Sequence, residues 1–64
     1  MDTPNKIKNR LNRYKKTNRY SIRLLAIEIG VKTSWLVDFA KGKYQNPTYS
    51  NMEKVHKYLM RMDK

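Results

Sequence analysis

The side chains of this sequence that could do chemistry together lie between residues 32 and 45. Within that stretch Ser34, Val37, Asp38 and Lys41 recur three and four residues apart, so a helix brings them to one face. A lysine ammonium or a serine hydroxyl can donate to the acceptors of base edges, and a valine methyl group can touch the methyl group of thymine. Such a face has the chemistry of contact with nucleic-acid bases.

The residue composition gives little support for a catalytic site. The 64 residues include five Asp and Glu, one histidine and no cysteine, and no nucleophile is spaced to pair with a base. No glycine-rich loop is present to cradle phosphates, and His56 has no second His or Cys with which to hold a metal. We therefore expect no enzyme, no cofactor, no metal site and no small-molecule ligand.

The charge of the chain indicates the class of its partner. Fifteen Lys and Arg against five Asp and Glu give a formal net charge of +10, above the magnitude of roughly 2–8 that keeps a small domain soluble. This excess favours a polyanion as partner over charge kept for solubility alone. Residues 1–64 allow one domain. Because the first twenty residues are basic and polar and no apolar run reaches spanning length, we expect neither a signal peptide nor a membrane-spanning helix. We expect a cytoplasmic protein with no membrane partner.

Two short helices on either side of Gly30 must position the polar face. The apolar residues at helical spacing are Leu25, Ile29, Leu36 and Phe39. Two helices joined by a short turn with a glycine form a helix-turn-helix, which is therefore predicted for residues 21–42. The second helix of such a unit usually enters the major groove of DNA.

Capping residues predict where these two helices begin and end. Ser21 is a good N-cap for a helix that ends at Ile29, where Gly30 supplies a left-handed residue. The next helix begins at Lys32 or Thr33 and ends near Lys41. With Leu36 and Phe39 facing inward, a rotation of about 100° per residue turns the polar face outward.

A basic helix is predicted before this unit. Thr3 is its N-cap and Pro4 its first residue, it runs to about Lys16, and residues 17–19 form a short connection. Its narrow apolar stripe consists of Ile7, Leu11 and Tyr14. We expect one face to dock on the core while the many cations around it stay at the surface. Each of these cations is either simply solvated or lies near a phosphate, and some should do the latter because the helix has no acidic residue nearby.

A final helix follows the loop at residues 43–47. It begins at Thr48 or Ser50, with Thr48 favoured, and runs to about Met62. Its apolar seam consists of Met52, Val55, Leu59 and Met62. A second line on another face consists of Tyr49, His56 and Met60. The predicted fold is all-α: a compact domain of four helices, with at most a short fifth.

The helix-turn-helix resembles the lambdoid phage repressor and Cro family, also called the Xre type. The residues that carry the resemblance are Leu25-Ala26-x-x-Ile29-Gly30-Val31-x-x-x-x-Leu36-x-x-Phe39-x-x-Gly42-Lys43, followed by Asn46-Pro47-Thr48. The match needs no gap from Ser21 to about Leu59, and the basic helix stands in the expected place. The resemblance implies the lambda-repressor-like fold and binding to double-stranded DNA.

The resemblance also implies roles by position. The residues that match base-contacting positions are Lys32, Thr33, Ser34, Val37 and Asp38. The residues that match contacts to the phosphate backbone are Arg10, Ser21, Arg23, Lys41, Lys43, Tyr44 and Gln45. Asp38 is unusual on such a face, and it either accepts from cytosine N4 or holds Lys41 or another cation in place.

Three features depart from the family pattern or need weighing. No Arg, Gln or Asn, the strongest readers of bases, occurs between Lys32 and Lys41. Lys32 stands where the family usually has a Ser or Thr cap, so Thr33 takes over that role or the cap is left to water or a phosphate. Trp35 is either a half-buried packing residue or a donor of its indole N–H to a phosphate.

These observations predict a sequence-specific, DNA-binding transcriptional regulator of the Cro-like repressor type, located on the nucleoid. Such domains dimerise so that two recognition helices meet half-sites about 34–36 Å apart. We expect a homodimer, formed weakly or only on DNA, through the second line of the last helix together with Tyr58 and the C-terminal tail. The alternatives are a non-specific architectural nucleic-acid-binding protein, and a DNA-binding accessory of recombination or of a toxin–antitoxin system.

Overall fold

Four helices make up the fold, in an arrangement free of β-strands throughout the part of the chain that is described. The computed structural model describes residues 3–62. The helices are α1 (Pro4–Asn18), α2 (Ile22–Ile29), α3 (Thr33–Ala40) and α4 (Tyr49–Met62). The predicted all-α class with four helices is confirmed, and residues 3–62 contain no fifth helix.

One apolar cluster at the centre of the molecule joins the four helices. Its buried members are Ile7, Leu11, Leu25, Ala26, Leu36, Phe39, Met52, Val55, Tyr58 and Leu59. The helices pack in the pairs α1–α4, α2–α3, α1–α3 and α2–α4, so every helix buries one stripe against two others. The stripes predicted for α1 and α4 are confirmed except at Met62, whose side chain is 46% exposed.

The first helix is longer than its sequence predicts. Its start is as expected, because the Thr3 hydroxyl accepts from the Lys6 N–H at 3.3 Å. Its end is not: the helix continues through residues 17–18, and Asn18 donates its side-chain amide to the Tyr14 carbonyl at 2.9 Å. Arg19 then ends the helix in the left-handed conformation, with φ 56°. The connection to α2 is therefore shorter than the predicted residues 17–19.

Gly30 makes the corner between α2 and α3. It has φ 91°, a conformation that a side chain would penalise. Both Gly30 and Val31 donate their backbone N–H groups to the carbonyl of Ala26, at 2.9 and 3.1 Å. Because Ala26 is fully buried, its small side chain allows α2 and α3 to pack closely at this corner.

The last helix differs from expectation in one side chain. Met52 donates its N–H to the Thr48 carbonyl at 3.0 Å, so α4 begins directly after Thr48, as favoured. Tyr58, however, does not belong to an external face: it is 4% exposed and its hydroxyl donates to Glu28 at 2.6 Å. The assignment of Tyr58 to a dimer face is therefore wrong. The C-terminal tail assigned with it, residues 63–64, lies outside the described residues.

Candidate nucleic-acid interface

The outward face of α3, formed by Ser34, Val37, Asp38 and Lys41, is not covered by the rest of the described chain. Ser34 and Lys41 are exposed, and Val37 and Asp38 are half-buried. The opposite side of the helix carries Leu36 and Phe39, which are 0% and 3% exposed. The core therefore holds α3 by one stripe and leaves the other stripe accessible to a partner.

The first turn of α3 begins without a side-chain cap. Lys32 occupies the N-cap position in an extended conformation, is exposed, and makes no side-chain hydrogen bond to the helix. Thr33 is the first helical residue and is half-buried, so the alternative in which Thr33 takes over the cap is wrong. The ammonium group of Lys32 and the hydroxyl of Ser34 thus lie at the same exposed end of α3.

The loop after α3 presents a second group of polar side chains. Gly42 has φ 78° and donates its N–H to the Phe39 carbonyl at 3.0 Å, which turns the chain sharply. Lys43, Tyr44 and Gln45 follow and are all exposed. The loop therefore continues the outward face of α3 with groups able to donate hydrogen bonds.

Asp38 is paired with a cation of this loop. Its carboxylate lies 3.7 Å from the Lys43 ammonium, and its backbone carbonyl accepts from the Lys43 N–H at 3.0 Å. Of the two readings of Asp38, the one in which it holds a cation describes this structure, and the cation is Lys43 rather than Lys41. The carboxylate orients the lysine and reduces the positive charge beside α3.

Trp35 lies in the middle of an aromatic stack. Its ring is 5.0 Å from that of Phe39 and 5.7 Å from that of Tyr44, with interplanar angles of 8° and 19°. Its indole nitrogen Nε1 is covered and has no hydrogen-bond partner. Trp35 is thus a half-buried packing residue here, and a phosphate could reach its N–H only after the covering atoms moved.

The start of α2 holds the other two residues assigned to phosphates. The Ser21 hydroxyl accepts from the Leu24 N–H at 3.1 Å, which caps the helix and leaves the hydroxyl hydrogen available to another acceptor. Arg23 is exposed in the first turn. Both residues therefore have a group that can still donate.

Arg10 does not lie with the other residues that were assigned to phosphate contacts. Its guanidinium is directed to α4, where it lies 4.0 Å from the Met60 sulfur. The edge of α1 that meets α3 is a different one: the Asn12 amide donates to the Ala40 carbonyl at 3.0 Å, and the Lys8 side chain lies against Gly42. Lys8 and Asn12 are therefore the residues of α1 beside α3, and no sequence signal singled them out.

Charge and ligating groups restrict what this surface can bind. Asp38 is the one acidic residue within α3 and the loop that follows it, and it already has a lysine partner. Residues 3–62 contain no cluster of three His, Cys, Asp or Glu that could hold a metal ion. None of the helices in this range is long and apolar enough to cross a membrane.

No family model, curated protein or solved structure matches this chain. The resemblance to the repressor and Cro family, and the role that it implies, therefore rest on the sequence of residues 21–59 and stay predictions.

Proposed function

We propose that the protein is a sequence-specific regulator of transcription that binds double-stranded DNA through α3, in the manner of a Cro-like repressor of phage origin. One observation carries the proposal. The outward face of α3 is accessible and is bordered by exposed lysines at both ends, Lys32 before it and Lys43 after it. A major groove about 12 Å wide admits a helix with such a face.

In this proposal one set of side chains contacts the bases and another contacts the phosphate backbone. Lys32, Thr33, Ser34 and Val37 reach base edges, where lysine prefers the acceptors of guanine and valine prefers the methyl group of thymine. The residues that hold the phosphate backbone on either side are Ser21, Arg23, Lys41, Lys43, Tyr44 and Gln45. Binding at an operator in the cytoplasmic nucleoid then excludes RNA polymerase from the promoter.

The size of the molecule favours two copies on one operator. The longest extent of the described chain is 27 Å, whereas the half-sites of such operators lie about 34–36 Å apart. A single copy therefore covers one half-site. We assign the contact between copies to the outer side of α4, where Tyr49 and Met60 are 63% and 55% exposed.

A non-specific architectural protein is the second candidate, and the composition of α3 favours it. The helix has no Arg, Asn or Gln, which provide the strongest bidentate contacts to bases. Its one acidic residue, Asp38, is engaged with Lys43. A protein of this kind binds through phosphate contacts alone and recognises no particular sequence.

Selection from a pool of random DNA duplexes tests the two candidates against each other. We expect enrichment of a symmetric site with two half-sites about one helical turn apart, and tighter binding to that site than to random DNA. Ser34→Ala should relax preference at one base position in each half-site by about 1 kcal/mol, because one hydrogen bond from a hydroxyl is lost. Ser50→Ala, at an exposed position in the first turn of α4, is the matched control and should leave the preference unchanged.

The same measurements can reject the proposal. Equal affinities and equal salt dependences on selected and random duplexes indicate the architectural protein instead. Failure to bind any duplex at low salt would overturn both candidates.

A further inference from the structure

A cleft lies where the start of α1 meets the loop after α3, and no role proposed above involves the α1 side of it. Its volume is about 290 Å³. The polar side chains that line it belong to Thr3 directly before α1, to Asn5 and Lys8 of α1, and to Tyr44 and Gln45 of the loop. We call it the flanking cleft, because two of its lining residues already belong to the proposed phosphate-binding loop.

Lys8 is held at this cleft by the shape of the loop. Its Nζ atom lies 3.4 Å, and its Cδ atom 3.6 Å, from the position that a Cβ atom would take on Gly42. The absence of a side chain at Gly42 therefore leaves room for the lysine beside the turn. Four residues further along α1, Asn12 donates to the Ala40 carbonyl at 3.0 Å, which keeps this edge of the helix against the end of α3.

The chemistry of the cleft is that of an anion site. An ammonium group, two side-chain amides, a phenol and the Thr3 hydroxyl can all donate hydrogen bonds, and its described lining residues include no Asp or Glu. The residues are exposed or half-buried, so a long polymer can reach them from outside. Under the proposed function, a phosphodiester of the DNA strand that passes α3 has the negative charge that such a site would bind.

We propose that the flanking cleft binds a phosphate of the DNA backbone next to the site contacted by α3, with Lys8 as its charged ligand. The inference rests on the proposed function and extends its footprint to α1. It also assigns the two edges of α1 different roles: the edge with Lys8 and Asn12 faces DNA, and the edge with Arg10 and Arg13 faces α4.

Two variants of the whole chain that each lose one lysine in the first turns of α1 test this assignment. Lys8→Gln removes the proposed ligand. Lys6→Gln is the matched control, because Lys6 is exposed and lies roughly 160° around the helix from Lys8. Affinity for the selected duplex is measured at potassium chloride concentrations from 50 to 200 mM.

We expect Lys8→Gln to reduce the slope of log K against log salt by about one, because one counterion-releasing contact is lost. Between 50 and 200 mM salt, the ratio of the wild-type affinity to the Lys8→Gln affinity should therefore change by about 3.5-fold. Lys6→Gln should change the slope by much less, and Lys8→Arg should restore the wild-type slope. Melting curves of the free proteins show that each variant is folded.

A duplex with one uncharged methylphosphonate in the flanking strand locates the contact. At the correct position it should weaken binding of the wild-type protein but not of Lys8→Gln. The assignment of the cleft as a phosphate site would be overturned by equal slopes for Lys8→Gln and Lys6→Gln. It would also be overturned if the wild-type protein and Lys8→Gln were equally sensitive to every methylphosphonate. Either result would leave the proposed function intact. Absence of binding by all the proteins rejects the proposed function itself, and the inference with it.

Discussion

Tyr58 shows how one side chain joins two elements of the core. Its ring packs edge to face against Tyr14 at 5.9 Å, and its hydroxyl donates to Glu28 of α2 at 2.6 Å. Burial raises the pKa of the Tyr58 phenol above its ordinary value of 10.0, and the hydrogen bond to Glu28 raises that pKa further. The folded protein therefore holds this proton at pH values at which the unfolded chain has released it.

The stability of the protein should consequently fall as the pH rises above about 10. The folded pKa is the higher one, so the stabilisation is complete below the unfolded pKa and is lost above it. Tyr58→Phe should remove this part of the pH dependence, and at pH 8 it should lower the free energy of unfolding by about 1 kcal/mol. Urea unfolding between pH 8 and pH 11 measures both effects.

The control for this prediction is Tyr49→Phe, because Tyr49 is 63% exposed. That variant should keep the pH dependence of the wild-type protein. The same slope above pH 10 in Tyr58→Phe as in the wild type would contradict the role assigned to Tyr58.

The ion pair of Asp38 and Lys43 is also a contact between single side chains, but it contributes little to stability. The two side chains are 39% and 62% exposed, and ion pairs this exposed contribute about 0–1 kcal/mol. Lys43 can therefore exchange Asp38 for a phosphate at little cost. The pair keeps the lysine next to α3 without holding it there strongly.

At the scale of elements, α1 and α2 end in the same backbone conformation, but different residue types adopt it. Both helices end at a left-handed residue, Arg19 with φ 56° and Gly30 with φ 91°. A glycine adopts this conformation without steric cost, whereas a residue with a Cβ atom is strained in it. Arg19 in this conformation ends α1 directly after Asn18 and turns the chain towards α2.

Arg19→Gly should therefore stabilise the protein, by about 0.5–1 kcal/mol, because relief of strain exceeds the entropy that glycine adds to the unfolded chain. Chemical unfolding at neutral pH measures the change. Arg19→Ala is the control, since it removes the charge but keeps the Cβ atom, and it should bring no such gain. A loss of stability in Arg19→Gly would show that the arginine side chain supports the turn by other contacts.

At the scale of the whole molecule, α1 divides two surfaces. One of its edges meets the end of α3, and the other lies along α4. The proposed DNA surface and the proposed contact between copies therefore lie on separate sides. Under the proposed function, two copies can meet through α4 while α3 of each copy remains accessible.

Loss of the apolar side chains on the outer side of α4 should separate dimer formation from DNA contact. The double variant Tyr49→Ser, Met60→Ser should still bind a single half-site but should lose the complex of two copies with the symmetric site. The reason is that the apolar area available to the second copy is removed without a change of charge. Gel shifts with one and two half-sites measure the two properties.

Ile27→Ser is the matched control, because Ile27 is a 68% exposed apolar residue on α2. It should leave the complex of two copies intact. Loss of that complex in Ile27→Ser and its survival in the double variant would move the contact between copies from α4 to α2.

Much of the fold could be predicted from the sequence because the signals are local. Gly30 and Ser21 delimit α2 through rules that act over one turn, and the apolar stripe of α1 follows from its spacing alone. The same rotation places Leu36 and Phe39 inward and Ser34 outward. Residues 17–18 are the exception, since their polar types suggest a connection, whereas in the structure Asn18 donates to the Tyr14 carbonyl within the helix and the left-handed residue that ends it is Arg19.

The position of a residue relative to other elements was decided only by the tertiary structure. Helical spacing places Lys8 and Arg10 on opposite sides of the α1 stripe, but it does not say which side meets α3, because that depends on how the helices pack. Tyr58 likewise lies three residues after Val55, at the edge of the predicted seam, and only the packing of α4 against α1 and α2 places it in the core, with its hydroxyl donating to Glu28. Spacing along one chain specifies the faces of each helix, and the shape of the shared core determines which of those faces become neighbours.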